Sequence, residues 1–288
     1  MQFPKYFADA ESSFDTAPFI LFGVPFEKNS SFRHGADQAP KEIRQASWNY
    51  ERYDLRSGMN FEEILIHDYG DLDVQELSSK EVFTTTKTFT SHLLSKQKIP
   101  ITIGGDHSIT PGIVSAFPKD IAVISLDAHM DFRQEYKNDS YNHACIIRRI
   151  ADHIPLENIA VLGIRSAEKE EYQQAQKQGL FFQDSFLINR IGLKKTLQKT
   201  KTLLKGKKIY LTLDIDVVDP AYAPGTSTPE PFGLTPTQLI EIIEEFSPQL
   251  IGFDLVEVCP PYDYGQTALL AAKLIQIGIG VIWKNTKA

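Results

Sequence analysis

The sequence contains little cysteine, no excess of positive charge and no long uninterrupted apolar run. Its two cysteines, Cys145 and Cys259, form no CxxC pair, which argues against a disulfide scaffold and is typical of a reducing cytoplasm. The net charge of −7 at pH 7 disfavours nucleic acid and anionic membranes as partners and suits a small cationic ligand better. We therefore expect a cytoplasmic protein that binds a small molecule.

Segments that would direct secretion, span a membrane or link two domains are also missing from the sequence. The first six residues lack the apolar core of a signal peptide. The longest apolar segment, residues 269–283, is interrupted by Gly278 and Gly280 and is shorter than the roughly 20 residues of a membrane span. Because no linker, repeat or low-complexity block divides the chain, residues 1–288 are predicted to form a single domain.

Apolar segments alternate with helical segments along the whole chain. The predicted helices include residues 78–95, residues 236–246 and a highly charged surface helix at residues 167–178. Such alternation predicts βαβ units, and therefore an α/β protein with a mostly parallel sheet covered by helices on both faces. The eight predicted strands are residues 18–26, 64–69, 99–103, 121–126, 159–164, 209–213, 250–256 and 278–283.

The predicted strand at residues 121–126 is followed by metal-ligand side chains at alternate positions, namely Asp127, His129 and Asp131. Alternate residues of an extended chain project from one face. In a fully extended chain these three groups would spread over roughly 13 Å, which is too far for one ion. Either the chain curls at the strand end or the three side chains serve more than one metal. The alternative to both is that the strand simply ends at the surface, where water solvates these polar side chains.

Two other predicted strands end in side chains of the same kind. His107 follows one strand, and Asp214 and Asp216 follow another. Taken alone, His107 is more often a core or surface residue than a ligand, and two nearby aspartates often form a cap or a turn. Ligand sites in parallel sheets gather along the edge where the strands have their C-terminal ends. We therefore expect these side chains to lie beside those of residues 127–131.

Together the three strand ends offer two imidazoles and four carboxylates. Four carboxylates carry four negative charges, which two divalent cations would neutralise. Oxygen-rich ligation without a thiolate favours Mn²⁺-like ions over structural zinc, and a pair of such ions can activate a water molecule for hydrolysis. The six candidate ligands are His107, Asp127, His129, Asp131, Asp214 and Asp216.

These segments resemble the three signatures of the ureohydrolase family, which contains arginase and agmatinase. The matching residues are 104–108 (Gly-Gly-Asp-His-Ser), 125–131 (Ser-Leu-Asp-Ala-His-Met-Asp) and 213–220 (Leu-Asp-Ile-Asp-Val-Val-Asp-Pro). The resemblance covers nearly the whole chain and implies an arginase-like three-layer α/β/α fold with a central, mostly parallel eight-stranded sheet. It also implies two Mn²⁺ per chain, held by the six candidate ligands, and a homotrimer or homohexamer.

The resemblance assigns roles to two further residues. His143 lies where the family has a proton-shuttling histidine, and Glu257 lies where the family binds the substrate guanidinium. These two residues are the predicted substrate contacts, and with the ligand Asp131 they form the predicted catalytic set. Without the resemblance, His143 would be interpreted as a surface residue at a helix start and Glu257 as an exposed acid. Asp106 is expected to orient one of the ligands.

Among the substrates of the family, the resemblance favours agmatine, which is cleaved to urea and putrescine in polyamine biosynthesis. Residues 225–230 are similar to the agmatinase form, although Ser227 and Phe232 replace its usual glycines. Residues 133–140 are expected to wall the end of the pocket that holds the substrate tail. Three residues there suit an ammonium tail (Glu135, Asp139 and Ser140), and two suit a carboxylate (Arg133 and Lys137).

Several alternative functions share parts of this pattern. Guanidinobutyrase, arginase and aminopropylagmatine ureohydrolase differ from agmatinase only in the tail of the substrate, and a formiminoglutamase uses the same metal core. A deacetylase of the same fold would need one zinc rather than six ligands around two ions. A metal-free paralogue that acts by binding alone would have lost ligands, whereas this sequence has all six.

Overall fold

The computed structural model describes residues 4–286 and divides them mainly among ten strands and nine α-helices. The strands are β1 (Phe19–Val24), β2 (Tyr53–Asp54), β3 (Met59–Asn60), β4 (Ile66–Asp71), β5 (Ile99–Gly104), β6 (Ala122–Leu126), β7 (Ile159–Ile164), β8 (Phe181–Asp184), β9 (Ile209–Asp214) and β10 (Leu250–Val256). The helices are α1 (Ala39–Ser47), α2 (Ser79–Ser95), α3 (Thr110–Val114), α4 (Ile146–Ala151), α5 (Lys169–Gln178), α6 (Ser185–Ile191), α7 (Leu193–Leu203), α8 (Pro236–Phe246) and α9 (Gln266–Thr286).

Eight of these strands form one parallel sheet in the order β4-β1-β5-β10-β9-β6-β7-β8. The short strands β2 and β3 form a separate antiparallel pair. The four central strands of the sheet, β5, β10, β9 and β6, are therefore neighbours. These include all three strands that the candidate metal ligands follow, so the C-terminal ends of these strands lie side by side at one edge of the sheet.

Helices cover both faces of the sheet, and successive residues of a strand point into opposite layers. In β6, Ile124 belongs to one apolar core, which also contains residues of α8 and α9. The preceding residue, Val123, belongs to the other core, with residues of α2, α3 and α4. Leu21 and Phe22 of β1 divide between the two cores in the same way. The expected three-layer α/β/α fold with a parallel eight-stranded sheet is thus confirmed.

One of the eight predicted strands is wrong, and another strand takes its place. Residues 278–283 continue α9 instead of forming a strand, and the eighth strand of the sheet is the short edge strand β8. A short apolar run in a buried position has the same pattern in a strand and in a buried helix. Gly278 and Gly280 also favoured a break in the helix. In the structure, their lack of a side chain instead lets α9 approach its neighbours closely. A Cβ at Gly278 would lie 2.7 Å from Phe253 Cζ.

The continuous helix α9 is 21 residues long and by length and composition alone could cross a membrane. In its most apolar window, however, 72% of the residues are buried inside the protein. A helix that is apolar on all sides and covered by protein is typical of a large core. The glycines therefore do not break this segment as the sequence predicted, and the burial of the helix argues against a membrane span instead.

Local capping signals in the sequence were more reliable than apolar runs. Ser78 Oγ accepts the Glu81 amide, and the Glu81 carboxylate accepts the Ser78 amide, so α2 begins with a capping box. Helix α8 begins with the same device, formed by Thr235 and Gln238, and Pro236 occupies its first turn. Both helices begin within one residue of the predicted positions because these signals act within a single turn.

We predict that Gly278→Ala destabilises the protein, although alanine is the better helix former. The new methyl group would meet the Phe253 ring, and overpacking of this kind costs about 1–3 kcal/mol, which exceeds the gain of about 1 kcal/mol in helix propensity. Urea unfolding would measure the change. The matched control is Gly280→Ala, whose methyl group meets the flexible end of Met59 and lies 3.1 Å from Phe61 Cζ; it should cost less because the nearest side chain can move. A Gly278→Ala protein that is more stable than wild type would contradict this account of the packing.

Candidate metal centre

The first group of candidate ligands lies where β5, β6 and β9 end. His107 Nδ1 is 3.2 Å from Asp127 Oδ2, 3.3 Å from Asp214 Oδ2 and 3.6 Å from Asp131 Oδ2. His107, Asp127 and Asp214 each offer a ligand atom, and these three atoms lie within 4.8 Å of one another. The group can therefore hold a metal ion, with Asp131 beside it.

The second group shares Asp127 with the first. His129 Nδ1 is 2.8 Å from Asp216 Oδ2 and 3.7 Å from Asp127 Oδ1, and these residues form a second possible metal group. The chain also curls after β6, because the His129 amide donates to Asp127 Oδ1 and Asp131 has a φ of 48°. The chain therefore turns at the strand end, and its side chains contribute to two groups that could each hold a metal ion.

The burial of this acidic cluster indicates that it fits cations. Asp127 is fully buried, and neither its Oδ2 atom nor His107 Nδ1 has a hydrogen-bond partner among the described residues. Burial and the neighbouring carboxylates of Asp216 and Asp127 raise the pKa of Asp214 well above its usual value. Carboxylates are costly to bury together unless cations pair with them. Imidazole and carboxylate donors without thiolate suit a divalent ion such as Mn²⁺.

A buried hydroxyl and carboxylate orient His107. Its Nε2 atom lies 2.9 Å from Thr212 Oγ1, and Thr212 donates to the buried carboxylate of Asp254. Tyr210 and Thr110 also donate to Asp254. Because Asp254 engages the Thr212 hydrogen, Thr212 is left to accept from Nε2–H. The imidazole then presents its unprotonated Nδ1 atom to the other candidate ligands, as metal ligation would require.

Asp106 acts on the backbone that carries His107 rather than on a ligand side chain. Its Oδ1 atom accepts the Ser108 amide at 3.0 Å, which caps the 3-10 turn His107–Ile109. Its Oδ2 atom accepts the Lys28 amide at 2.9 Å. The expectation that Asp106 orients a ligand therefore holds only indirectly, through the position of the turn.

His143 lines the same cavity as four of the candidate ligands and is half-buried rather than on the open surface. Its Nε2 atom lies 3.0 Å from Ser31 Oγ, and its Nδ1 atom has no hydrogen-bond partner among the described residues. Burial, together with nearby cationic groups that include His129, lowers the pKa of His143 to about 3. The imidazole is therefore neutral at neutral pH and is able to accept a proton.

Glu257 is buried in the cavity wall and is held in an unusual backbone conformation. Its φ is 64°, a left-handed value that is uncommon for a residue other than glycine. The Glu257 amide donates to Gly105 O at 2.8 Å, and Oε1 accepts the His107 amide at 2.7 Å. Burial and repulsion by Asp106 raise the pKa of Glu257 to about 8. Such a strained, buried acid indicates a functional position and favours a cationic ligand.

The other end of the cavity contains an arginine between two acids. Arg133 Nε lies 3.5 Å from Glu171 Oε2, and Arg133 Nη2 lies 3.8 Å from Glu168 Oε1. The guanidinium also lies 4.8 Å from the centroid of the Tyr136 ring. Glu171 is buried and accepts the Phe132 amide at 2.7 Å, whereas the Glu168 carboxylate is largely exposed. The trio carries one net negative charge at the cavity mouth.

Residues 133–140 contribute Arg133 and Tyr136 to the cavity wall, but not the acidic side chains that were expected there. The chain makes a tight turn there, with Lys137 and Asn138 both in the left-handed region and Tyr136 paired with Asp139. This turn directs the Asp139 carboxylate to the Ser79 hydroxyl at 2.6 Å, away from the cavity. The three residues expected to suit an ammonium do not line the cavity (Glu135, Asp139 and Ser140).

Sequence reasoning missed Glu168 and Glu171 because the charged helix that follows β7 was interpreted as a surface helix. Both acids line the cavity, Glu168 as the N-cap of α5 and Glu171 in its first turn. The rule that ligand sites gather at the C-terminal ends of parallel strands applies to β7 as well. The position of the two acids after β7 is therefore the signal in the sequence that could have identified them.

Comparison with known proteins identifies the family. A sequence model described as the Arginase family matches residues 17–279. An agmatinase of Halalkalibacterium halodurans is 34% identical over 279 residues, 94% of each chain. N(1)-aminopropylagmatine ureohydrolase of Thermococcus kodakarensis is 35% identical, covering 94% of this chain and 92% of its own. The crystal structure of the agmatine ureohydrolase of Thermoplasma volcanium has a TM-score of 0.94 at 39% identity, covering 100% of this chain and 97% of that chain. The chain therefore belongs to the arginase family.

Proposed function

We propose that this protein hydrolyses agmatine to urea and putrescine with two Mn²⁺ ions per chain. The observation that carries the proposal is Glu257, a buried carboxylate in the wall of the cavity that the metal groups also line. A guanidinium is a planar cation that a carboxylate can bind through two parallel hydrogen bonds. The names of the agmatinase and agmatine ureohydrolase relatives support the same reaction.

The two ligand groups would hold the ions, with Asp127 shared between them. When bound, a pair of divalent ions activates a water molecule near neutral pH and offsets the developing negative charge. The first ion would have four ligands (His107, Asp127, Asp131 and Asp214). The second would have three of the candidate residues (Asp127, His129 and Asp216).

Glu257 and His143 would then act on the substrate. Glu257 orients the guanidinium. The positive charge of the guanidinium in turn stabilises the buried Glu257 carboxylate. His143 is neutral, as its low pKa indicates, so it can take a proton released when water attacks. It would deliver that proton to the leaving amine, which is a poor leaving group without one. Ser31 contacts the imidazole and fixes its orientation.

The charges at the cavity mouth favour an ammonium tail. Glu171 occupies one side of the Arg133 guanidinium, while the Glu168 carboxylate is exposed toward solvent. Glu168 is therefore available to the ammonium of agmatine, or to the longer tail of an aminopropyl derivative. A guanidino acid is the second candidate, because Arg133 itself lines the cavity and could bind a carboxylate if it left Glu171.

We also propose that residues 1–288 act as one domain, that the protein forms a homotrimer or homohexamer, and that it functions in the cytoplasm. Continuity of the sheet supports the first proposal, since its strands come from residues 19 to 256. The two cysteines are both free and buried, which is compatible with a reducing compartment. Gel filtration with light scattering would measure the number of subunits.

For the metals, we predict that Asp127→Asn loses both ions, whereas Asp216→Asn retains one, because only Asp127 belongs to both groups. Both variants should lose nearly all activity while their circular dichroism spectra remain native. Atomic emission spectroscopy after dialysis would count the ions per chain. Asp120→Asn, an exposed aspartate outside the cavity, is the control. Full activity after exhaustive chelation would exclude the binuclear proposal.

For the proton transfer, we predict that His143→Ala lowers kcat by about 10²–10⁴-fold, the usual contribution of a general acid–base group. The metal content should not change, because His143 belongs to neither ligand group. Steady-state kinetics across a pH series would measure the effect, with the exposed His92→Ala variant as control. If the variant kept the wild-type kcat and pH profile, His143 would have no part in proton transfer.

For the tail, we predict that agmatine has a higher kcat/KM than arginine or 4-guanidinobutyrate. Glu168→Gln should reduce kcat/KM for agmatine more than for 4-guanidinobutyrate, because only agmatine brings a cation to that position. Glu170→Gln, on the same turn of α5 but outside the cavity, is the matched control. Urea release from all three compounds would be measured side by side. A preference for 4-guanidinobutyrate would instead identify Arg133 as the residue that binds the tail.

A further inference from the structure

Ser227 places an unpaired hydroxyl in the wall of the cavity. The residue is 3% exposed and lines the cavity together with Glu257. Its Oγ atom has no hydrogen-bond partner among the described residues. A buried hydroxyl without a partner is unfavourable, and most buried polar atoms in native proteins are satisfied. A bound ligand is therefore a candidate partner for this hydroxyl.

The backbone around Ser227 is fixed against the segment that carries Glu257. Thr226 forms an antiparallel bridge with Val258, and Thr226 Oγ1 donates to Glu257 O at 3.0 Å. The Arg33 amide donates to Ser227 O at 3.1 Å. The serine therefore cannot move independently of Glu257. The Ser227 hydroxyl also lies near the Glu257 carboxylate.

Glu257 alone cannot accept all the N–H groups of a guanidinium. Its Oε1 atom already accepts the His107 amide at 2.7 Å. A guanidinium attached to one alkyl chain presents five N–H donors in a plane, whereas a hydroxyl offers one donor and two acceptor lone pairs. Ser227 can therefore donate to the carboxylate and accept an N–H group from the substrate at the same time.

We propose that Ser227 is a second guanidinium-binding residue, which accepts an N–H group of the substrate beside Glu257 and narrows this end of the cavity. The inference rests on the proposed function, because it concerns the same guanidinium. It adds a specificity that Glu257 cannot provide. The serine side chain fills space that glycine would leave open. A guanidine methylated on a terminal nitrogen is therefore excluded, because its methyl group lacks room and because it has one N–H group fewer to donate.

The first experiment removes the hydroxyl. Ser227→Ala should raise the KM for agmatine about tenfold or more, as expected for a lost hydrogen bond to a charged group, with a smaller change in kcat. Calorimetric titration with guanidinium chloride should show a matching loss of affinity. Ser185→Ala is the matched control, since Ser185 is also buried with an unpaired hydroxyl but does not line the cavity. Its KM and affinity should equal those of wild type.

The second experiment tests the space around the terminal nitrogens. Wild type should release little methylurea from agmatine methylated on a terminal nitrogen, and Ser227→Gly should raise kcat/KM for this compound relative to agmatine. Ser227→Gly also removes the hydroxyl without adding atoms, so it repeats the KM and guanidinium tests if the alanine variant does not fold. Unchanged KM and guanidinium affinity in a folded Ser227 variant would overturn the role of Ser227.

The outcome for Ser227 can be separated from the outcome for the proposed function. If wild type releases urea and the Ser227 variants bind guanidinium as wild type does, only the role of Ser227 is overturned. If wild type releases no urea from any guanidino compound, the proposed function is overturned. The guanidinium titration still decides whether Ser227 binds that cation, because it does not depend on turnover.

Discussion

Buried negative charge at the C-terminal edge of the sheet is the constraint on which the rest of the structure depends. Asp127, Asp214 and Asp216 are at most 3% exposed. In each carboxylate, Oδ1 accepts a backbone amide, donated by His129, Asp216 and Ala128 respectively. The Oδ2 atoms instead lie near His107 or His129. One oxygen of each acid is thus fixed by the chain, and the other is directed to the place where cations reduce the cost of burial.

The half-buried Arg165 next to this cluster stabilises loops without binding the oxygens of the candidate ligands. Arg165 donates to Asp216 O at 2.6 Å and to Glu230 O at 2.7 Å. Its positive charge therefore lies near the acids, but its hydrogen bonds go to backbone carbonyls. Gly233 allows this arrangement, because a Cβ there would lie 2.7 Å from Arg165 Nη2 and 2.4 Å from Asp219 N. The neighbouring Phe232 has a left-handed φ of 68° and is mostly exposed.

The centre of the sheet and the residues that follow its strands were predictable, because each signal there was local. An apolar run followed by acids or histidine predicted the ends of β5, β6 and β9, where residues distant in sequence meet. The edge strand β8 and the continuous helix α9 were not predictable, since their states depend on packing. Gly278 is a helix breaker by propensity but a contact residue against Phe253. Likewise, only the fold shows that the turn at Lys137 directs Asp139 away from the cavity.

The two ends of the cavity differ in how firmly their chemistry is fixed. Glu257 and Ser227 are almost fully buried, and the segments that carry them are joined by the Thr226–Val258 bridge and by the hydrogen bond from Thr226 Oγ1 to Glu257 O. Charge interactions at such a position are strong, and an unpaired group there is costly. At the mouth, Arg133 is shared between Glu168 and Glu171, and the Glu168 carboxylate is largely exposed. Interactions between exposed charges are weak and are screened by salt. In the proposed function, the guanidinium is therefore recognised by the rigid part of the cavity, and substrate tails are discriminated by a part that can adjust.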